Sequence, residues 1–396
     1  MPENVYWIWM QLLFGIGTKR AHEILEGCSC PRELLEDGAS GEVRLTPEET
    51  AGSSATFEEA RRLEEITLKK GVDIITPGHS DYPELLAGTY SKPIVLYVKG
   101  SLACLKNALP IAMVGTRAYT GYGEQAAQDI AAGLARTGCV VVSGLARGID
   151  SICHAAALSE GGFTIGVMGC GLDIDYPKGM APLKTAMKDR GAVVSEYPMG
   201  FEVRRHSFPV RNRVIAGMTR GCVVVEAPPE SGSLITARLA LDMGRDVFAI
   251  PGSIYSPDHV GVHNLLKEGG AKAAGCVQDI LEEYPEYPQF EAAVNKNALV
   301  GTAIGKEGGP RKQGAPKKQE SGLEQNLPKP DLPGDASEAL CKVYAHMDEN
   351  PKTADIIVAR AGSSIGDVMA ALTELEIMGF AQSHPGGFFS LQSTAN

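Results

Sequence analysis

From about residue 72 to residue 285 the sequence repeats one device: a short β-branched apolar run, closed by Gly or Pro, then a stretch with helical spacing. The runs are IVLYV (94–98), IAMV (111–114), CVVVS (139–143), TIGVM (164–168), AVVSE (192–196), CVVVE (222–226) and VFAI (247–250). They are continuously apolar rather than alternating, which predicts strands covered on both faces. Strands that alternate with helices pack as an open parallel sheet between two helical layers. The expected fold is therefore α/β, an extended Rossmann-like doubly wound, mostly parallel sheet over 72–285.

The flanks read differently. Residues 1–71 predict a small helical domain, with Gly15-Ile16-Gly17 as a helix-hairpin-helix-like turn and Ala21, Ile24 and Leu25 at helical spacing after it; the acidic charge of the segment favours a helix-bundle turn over a phosphate-holding one. Segment 286–334 is rich in Pro, Gly, Lys and Gln, as a flexible linker is. Beyond it, helices over 337–347, 353–361 and 364–378 and a hairpin from Phe380 through Pro385-Gly386-Gly387 to Phe388 predict a winged helix over 335–396.

Charge narrows where a polyanion could bind. The net charge is −11, yet residues 1–70 hold 8 basic and 13 acidic groups and residues 335–396 hold 3 and 8. The third helix of the winged unit offers Asp367, Glu374 and Glu376 and no Lys or Arg, so it would repel phosphate. That leaves the middle segment, where 201–220 contains five Arg and one Glu. Within it, FPVRNR places Phe208 beside Arg211, Asn212 and Arg213, with Arg204, Arg205 and His206 just upstream. An aromatic ring amid guanidinium donors suits unpaired nucleic acid, since bases stack on the ring and phosphates accept from Arg.

The loops after the strands supply a second set of anion donors. Gly115-Thr116-Arg117 precedes Gly121 and Gly123 at a helix entry. Ser143-Gly144-Leu145-Ala146-Arg147-Gly148 leads to Asp150, Gly169 and Gly171 follow the fourth run, and Ser231-Gly232-Ser233 opens a helix at Leu234. Glycine lets backbone N–H groups converge on an anion, and helix N-termini add partial positive charge. Asp150, Glu196 and Glu226 at strand ends are expected to hydrogen-bond these turns.

Several classes are set aside. The pattern is neither GxGxxG nor GxxxxGK[ST], and no GxSxG elbow marks a nucleophile. Nine cysteines without a CxxC pair, Cys28 and Cys30 being the closest spaced, imply reduced cytosolic thiols. His259 and His263 share a helical spacing but lack a third ligand, so neither metal nor cofactor is expected. The apolar run from Val5 to Ile16 is too short to span a bilayer, so membrane insertion is not expected.

Taken together, VGTR (114–117), SGLARGID (143–150) with His154, TIGVMGCGLD (164–173), YP (176–177), SEYP (195–198), FPVRNRVIAG (208–217), VVEA (224–227), SGSLIT (231–236) and the GR and PG of 244–252 resemble, in order, the DNA processing protein A family. The likeness spans about residues 72–280, and the ends resemble the family's sterile-alpha-motif-like and winged-helix domains. It implies a cytoplasmic protein, not an enzyme, that binds single-stranded DNA and dimerises through its Rossmann domain. It further implies help to RecA recombinase in displacing single-strand binding protein, chiefly in natural transformation. On matching positions, Arg117 and Arg205 would take phosphates, Phe208 would stack a base, and Arg211 and Arg213 would line the groove. Ser143, Gly144 and Gly148 would supply donors, with Arg147, Lys178, Asn212, Ser231, Gly232 and Ser233 beside them. The family usually has Asn where this chain has His263.

The competing expectation is a nucleotide-processing enzyme of the phosphoribohydrolase type, but neither Pro251-Gly252-Ser253 nor Glu230-Ser231-Gly232-Ser233 supplies its PGGxGTxxE pattern. A winged helix reading duplex DNA is a third. Alanine at Arg117 or Arg211 is expected to remove much of the strand affinity with the fold intact.

Overall fold

A computed structural model describes residues 3–27, 30–36, 45–287, 337–347, 352–378, 380–384 and 388–391. The linker from 288 onward, Cys28 and the 385–387 turn lie outside the described residues. The chain divides into two compact units, 1–307 and 308–396. In the larger unit every apolar run becomes a strand, with ends within two residues of those expected: β2 (Leu96–Gly100), β3 (Pro110–Val114), β4 (Val140–Ser143), β5 (Phe163–Met168), β6 (Gly191–Ser195), β7 (Gly221–Val224) and β8 (Asp246–Ala249). Two short strands, β1 (Asp73–Ile75) and β9 (Lys272–Ala273), complete a nine-stranded sheet of order β1-β2-β6-β5-β4-β3-β7-β8-β9. β6 through β9 are mutually parallel, and β1 and β2 join the β6 side antiparallel.

Both sheet faces are covered, as continuously apolar strands require. Ala112, Val114, Val142 and Val224 point to one core, beneath α9 (Ser207–Gly217), α10 (Gly232–Asp242) and α11 (Val260–Lys267). Ile111, Met113, Val141 and Val223 point to the other, beneath α6 (Gly121–Arg136), α7 (Ile149–Ser159) and α12 (Val277–Leu281). From β3 the chain leaves through α6 to β4. From β7, the neighbour on the other side, it leaves through α10 to β8, so the strand order reverses between β3 and β7.

The N-terminal helices α1 (Asn4–Phe14), α2 (Lys19–Glu26), α3 (Pro31–Glu36) and α4 (Pro47–Lys69) share a core with β1 and β2: Ile8, Trp9 and Ile24 pack with Ile74, Val95 and Tyr97. Gln11 fastens this junction, donating to the Glu196 carbonyl at 2.9 Å and accepting from the Tyr97 hydroxyl at 3.1 Å. The smaller unit has helices Glu338–Ala345, Ala354–Ala361 and Ile365–Ile377, with a three-stranded sheet from Lys352–Thr353, Ala381–His384 and Phe388–Leu391. On its third helix Val368, Leu372 and Leu375 are buried and Asp367, Glu374 and Glu376 exposed, so the acidic side faces solvent. Among the described residues no helix is long and apolar enough to cross a membrane.

His154 on α7 is fully buried. The Thr164 hydroxyl donates to the Val141 carbonyl at 2.7 Å, so at 2.7 Å from His154 Nδ1 it acts as acceptor, which assigns the proton to Nδ1. Burial, with Arg211 nearby, lowers the imidazole pKa from 6.5 to about 3. Between those values the unfolded chain takes up a proton that the folded chain refuses. Stability therefore falls as pH drops below 6.5, by about 1.4 kcal/mol per pH unit at full effect. Urea unfolding of His154→Gln across that range should have an acid limb shallower by about one proton than the parent's.

Candidate nucleic-acid interface

Ligands of open α/β sheets bind beyond the carboxyl ends of the strands where strand order reverses. At the β3/β7 reversal a cavity of about 320 Å³ opens, and Arg117, Arg205, Phe208, Arg211, Asn212 and Ser231–Ser233 all line it. Three segments far apart in sequence thus converge as their motifs predict: the loop after β3, the first turns of α9, and the N-terminus of α10.

Ser231 caps α10: its Oγ accepts from the Ser233 amide at 3.4 Å and lies 2.7 Å from the Ser233 hydroxyl. Asn212 Nδ2 donates to the Gly232 carbonyl at 3.3 Å, tying α9 to that cap. The Phe208 ring is half-buried at the mouth, with the Arg117 guanidinium 5.4 Å and the Arg211 guanidinium 6.0 Å from its centroid. Such guanidinium-over-ring contacts are worth about 0.5–1 kcal/mol when exposed. Arg117 and Arg205 are exposed and have no hydrogen bond or ion pair among the described residues. Their donors remain open to an anion.

Arg211 is a different kind of cation. It is 5% exposed, with Nη1 donating to the carbonyls of Gly144 and Val167 and Nε to Asn212 Oδ1 at 3.1 Å. The Asp150 carboxyl nearby accepts from the amides of Gly144 (3.1 Å) and Ala146 (3.3 Å), and burial raises its pKa while Arg211 opposes the shift. This latch folds the loop after β4. A Cβ on Gly144 would come within 2.5 Å of the Arg211 guanidinium. At Gly148, where φ is +92°, a Cβ would meet the Thr116 carbonyl at 2.6 Å and Arg117 Cα at 2.7 Å. These two glycines therefore set how closely the loops approach and where Arg117 stands.

The remaining expected site residues lie elsewhere. Ser143 is fully buried and donates to the Met113 carbonyl at 2.6 Å, and the Gly144 amide is engaged by Asp150. Arg213 points away from the cavity, donating to both Glu196 oxygens at 2.6 and 2.7 Å and to the Ser91 carbonyl. Gly17, at φ +72°, packs on the same side of α9, where a Cβ would meet Val210 at 3.2 Å and Arg213 at 3.3 Å. Arg147 and Lys178 are exposed beyond β4 and β5, and Arg147 Nη2 donates to the Lys178 carbonyl at 3.3 Å. His263 Nε2 donates to the Gly252 carbonyl at 3.2 Å, supporting the turn after β8.

Of the three strand-end acids, Asp150 and Glu226 do bind turn backbone, Glu226 accepting from the Thr120 amide at 3.1 Å. Glu196 instead serves as the counterion of Arg213. One further aromatic beside the cavity residues was not expected: the Tyr176 ring stands 5.5 Å from Phe208. The Tyr-Pro pair at 176–177 was its only signal. Among the described residues no group of three His, Cys, Asp or Glu could hold a metal ion.

The family described as DNA recombination-mediator protein A matches residues 73–285, and the DprA winged helix domain matches 327–387. Protein Smf of Synechocystis is 34% identical over 97% of this chain and 98% of its own length. The DNA processing protein DprA of Streptococcus pneumoniae is 45% identical over 51% of this chain and 71% of its own length. An X-ray structure of that Streptococcus pneumoniae protein superposes with a TM-score of 0.59 at 36% identity, covering 72% of this chain and 99% of the solved one.

Proposed function

Because this chain belongs to the DNA recombination-mediator protein A family, we propose that it binds single-stranded DNA without regard to sequence and loads RecA recombinase onto that strand. The observation that carries this reading is the unpaired Arg117 held over the Phe208 ring beside Arg205 and the α10 N-terminus. Phosphate meets guanidinium and helix-end donors while a base meets the ring, and neither contact reads a base edge. The strand-end acids support binding rather than catalysis, since Asp150 and Glu226 hold backbone and Glu196 holds Arg213. Arg147, Lys178, Asn212 and Ser231–Ser233 extend the same surface, while Arg211 and Gly144 build its floor.

The same reading includes displacement of single-strand binding protein, a homodimer through the sheet domain, and work in the cytoplasm during natural transformation. The acidic third helix of the smaller unit favours a protein contact over duplex DNA for that unit.

Fluorescence anisotropy with labelled oligothymidylate over a salt series tests the binding step. Affinity should fall steeply with salt, and Arg117→Ala should reduce the log–log slope by about 0.7, the value of one single-strand phosphate. An unchanged slope would remove Arg117 from the interface. Deletion of 335–396 should alter affinity by less than about threefold, within ~0.6 kcal/mol; abolished binding would move the strand to the smaller unit. RecA filament growth on strands coated with single-strand binding protein, measured with and without this protein, tests the loading step.

A further inference from the structure

We propose that the carboxyl edge of the sheet carries a second base-stacking platform, formed by Phe201 and Arg204, and that a bound single strand extends to it from Phe208. The inference rests on the single-stranded DNA reading above and adds the direction in which the strand runs.

Between β6 and α9 the chain builds a layered stack. The half-buried Phe201 ring lies on the buried Tyr197 ring, with centroids 4.5 Å apart and an interplanar angle of 28°. Arg204 also lies over the Phe201 ring, its guanidinium 4.9 Å from the ring centroid. A ring that served only as core packing would be closed off by apolar neighbours. This one is closed by an exposed guanidinium with no hydrogen bond or ion pair among the described residues. A base can stack on that guanidinium or take its place on the ring, leaving Arg204 free for phosphate.

The platform is rigidly tied to the first one. The Tyr197 hydroxyl donates to the Ser207 carbonyl at 3.2 Å, and the Ser207 amide donates to the Arg204 carbonyl at 3.1 Å. The Ser207 hydroxyl donates to the Gly169 carbonyl at 2.5 Å, and a Cβ on Gly169 would lie 3.2 Å from Phe208 Cδ1. From β7 to β6 the sheet edge crosses four strand spacings, roughly 19 Å at ~4.8 Å each. The ends of β4 and β5, inside that span, carry exposed Arg147 and Lys178, which the cavity itself leaves unused. Asp173, also on this side, is paired with Lys70 at 2.9 Å, which offsets its repulsion of phosphate.

The test compares oligothymidylates of about 4 and about 16 nucleotides, a range that brackets known single-strand site sizes. Phe201→Leu keeps apolar contact with Tyr197 but removes the π-face, and Phe201→Trp keeps both. Phe201→Leu should weaken the long oligonucleotide about tenfold, one stacked base at ~1.4 kcal/mol, with the short one unchanged within about twofold. Phe201→Trp should bind both as the parent does. Equal weakening on both lengths, or none on either, overturns the platform. Phe208→Ala, run in parallel, should weaken both lengths. If Phe208→Ala weakens neither, the groove reading itself fails, whereas loss with Phe208→Ala alone removes only the extension.

Discussion

Arg213→Ala should lower the free energy of unfolding by about 3–5 kcal/mol, the cost of leaving one member of a buried ion pair alone. Glu196 would remain 3% exposed with no counterion, and the Ser91 carbonyl would lose its donor. Urea denaturation followed by far-UV circular dichroism reads the loss as a lower midpoint at constant m. A companion variant, Glu196→Leu with Arg213→Met, should recover much of it, because two apolar side chains leave no uncompensated charge. A loss below about 1 kcal/mol for Arg213→Ala would place it among exposed pairs and contradict the geometry. Short-strand affinity of the folded fraction should hold within about threefold, or ~0.6 kcal/mol, since Arg213 faces the N-terminal helices rather than the cavity.

Combining Arg117→Ala with Phe208→Ala should reduce single-strand affinity by about 10²–10⁴-fold. One charge-assisted phosphate contact is worth ~1.5–3 kcal/mol and one stacked base ~1–3 kcal/mol. The guanidinium lies over the ring, so the two losses should fall short of additive by about 0.5–1 kcal/mol, which a double-mutant cycle measures. Arg117→Ala alone should lower the melting temperature by no more than about 4 °C, the cost of the lost guanidinium-over-ring contact, because Arg117 is exposed and otherwise hydrogen-bonded to nothing among the described residues. If the double variant binds as the parent does, the cavity is not the DNA site. Arg211→Ala, equivalent to Arg117→Ala on sequence grounds, cannot be as clean. It strips two buried carbonyls of their donor and Asp150 of its neighbouring cation, so stability and affinity fall together.

The difference between Arg211 and Arg213 marks where sequence reasoning stops. FPVRNR reads as one basic cluster, yet its two arginines are two positions apart on α9. Such positions lie about 200° around a helix and cannot share a face. One joins the cavity floor while the other crosses to Glu196 and the N-terminal helices. Ser143 was misplaced for a related reason: as the last residue of β4, its side chain turns into the sheet, where its hydroxyl needs the Met113 carbonyl.

What the amino-acid order determined alone was the architecture and which loops line the candidate site. Continuously apolar runs closed by glycine specify strands buried on both faces, and the loops after them carry the anion donors wherever the sheet is assembled. Only the tertiary structure decided which charges face outward, which acid neutralises which base, and that Phe201 and Tyr176 join the edge. Those outcomes depend on helix rotation and on neighbours more than a hundred residues away in sequence, such as Ser91 for Arg213. A local pattern of residue types encodes how a segment folds, but not the partner its side chains meet.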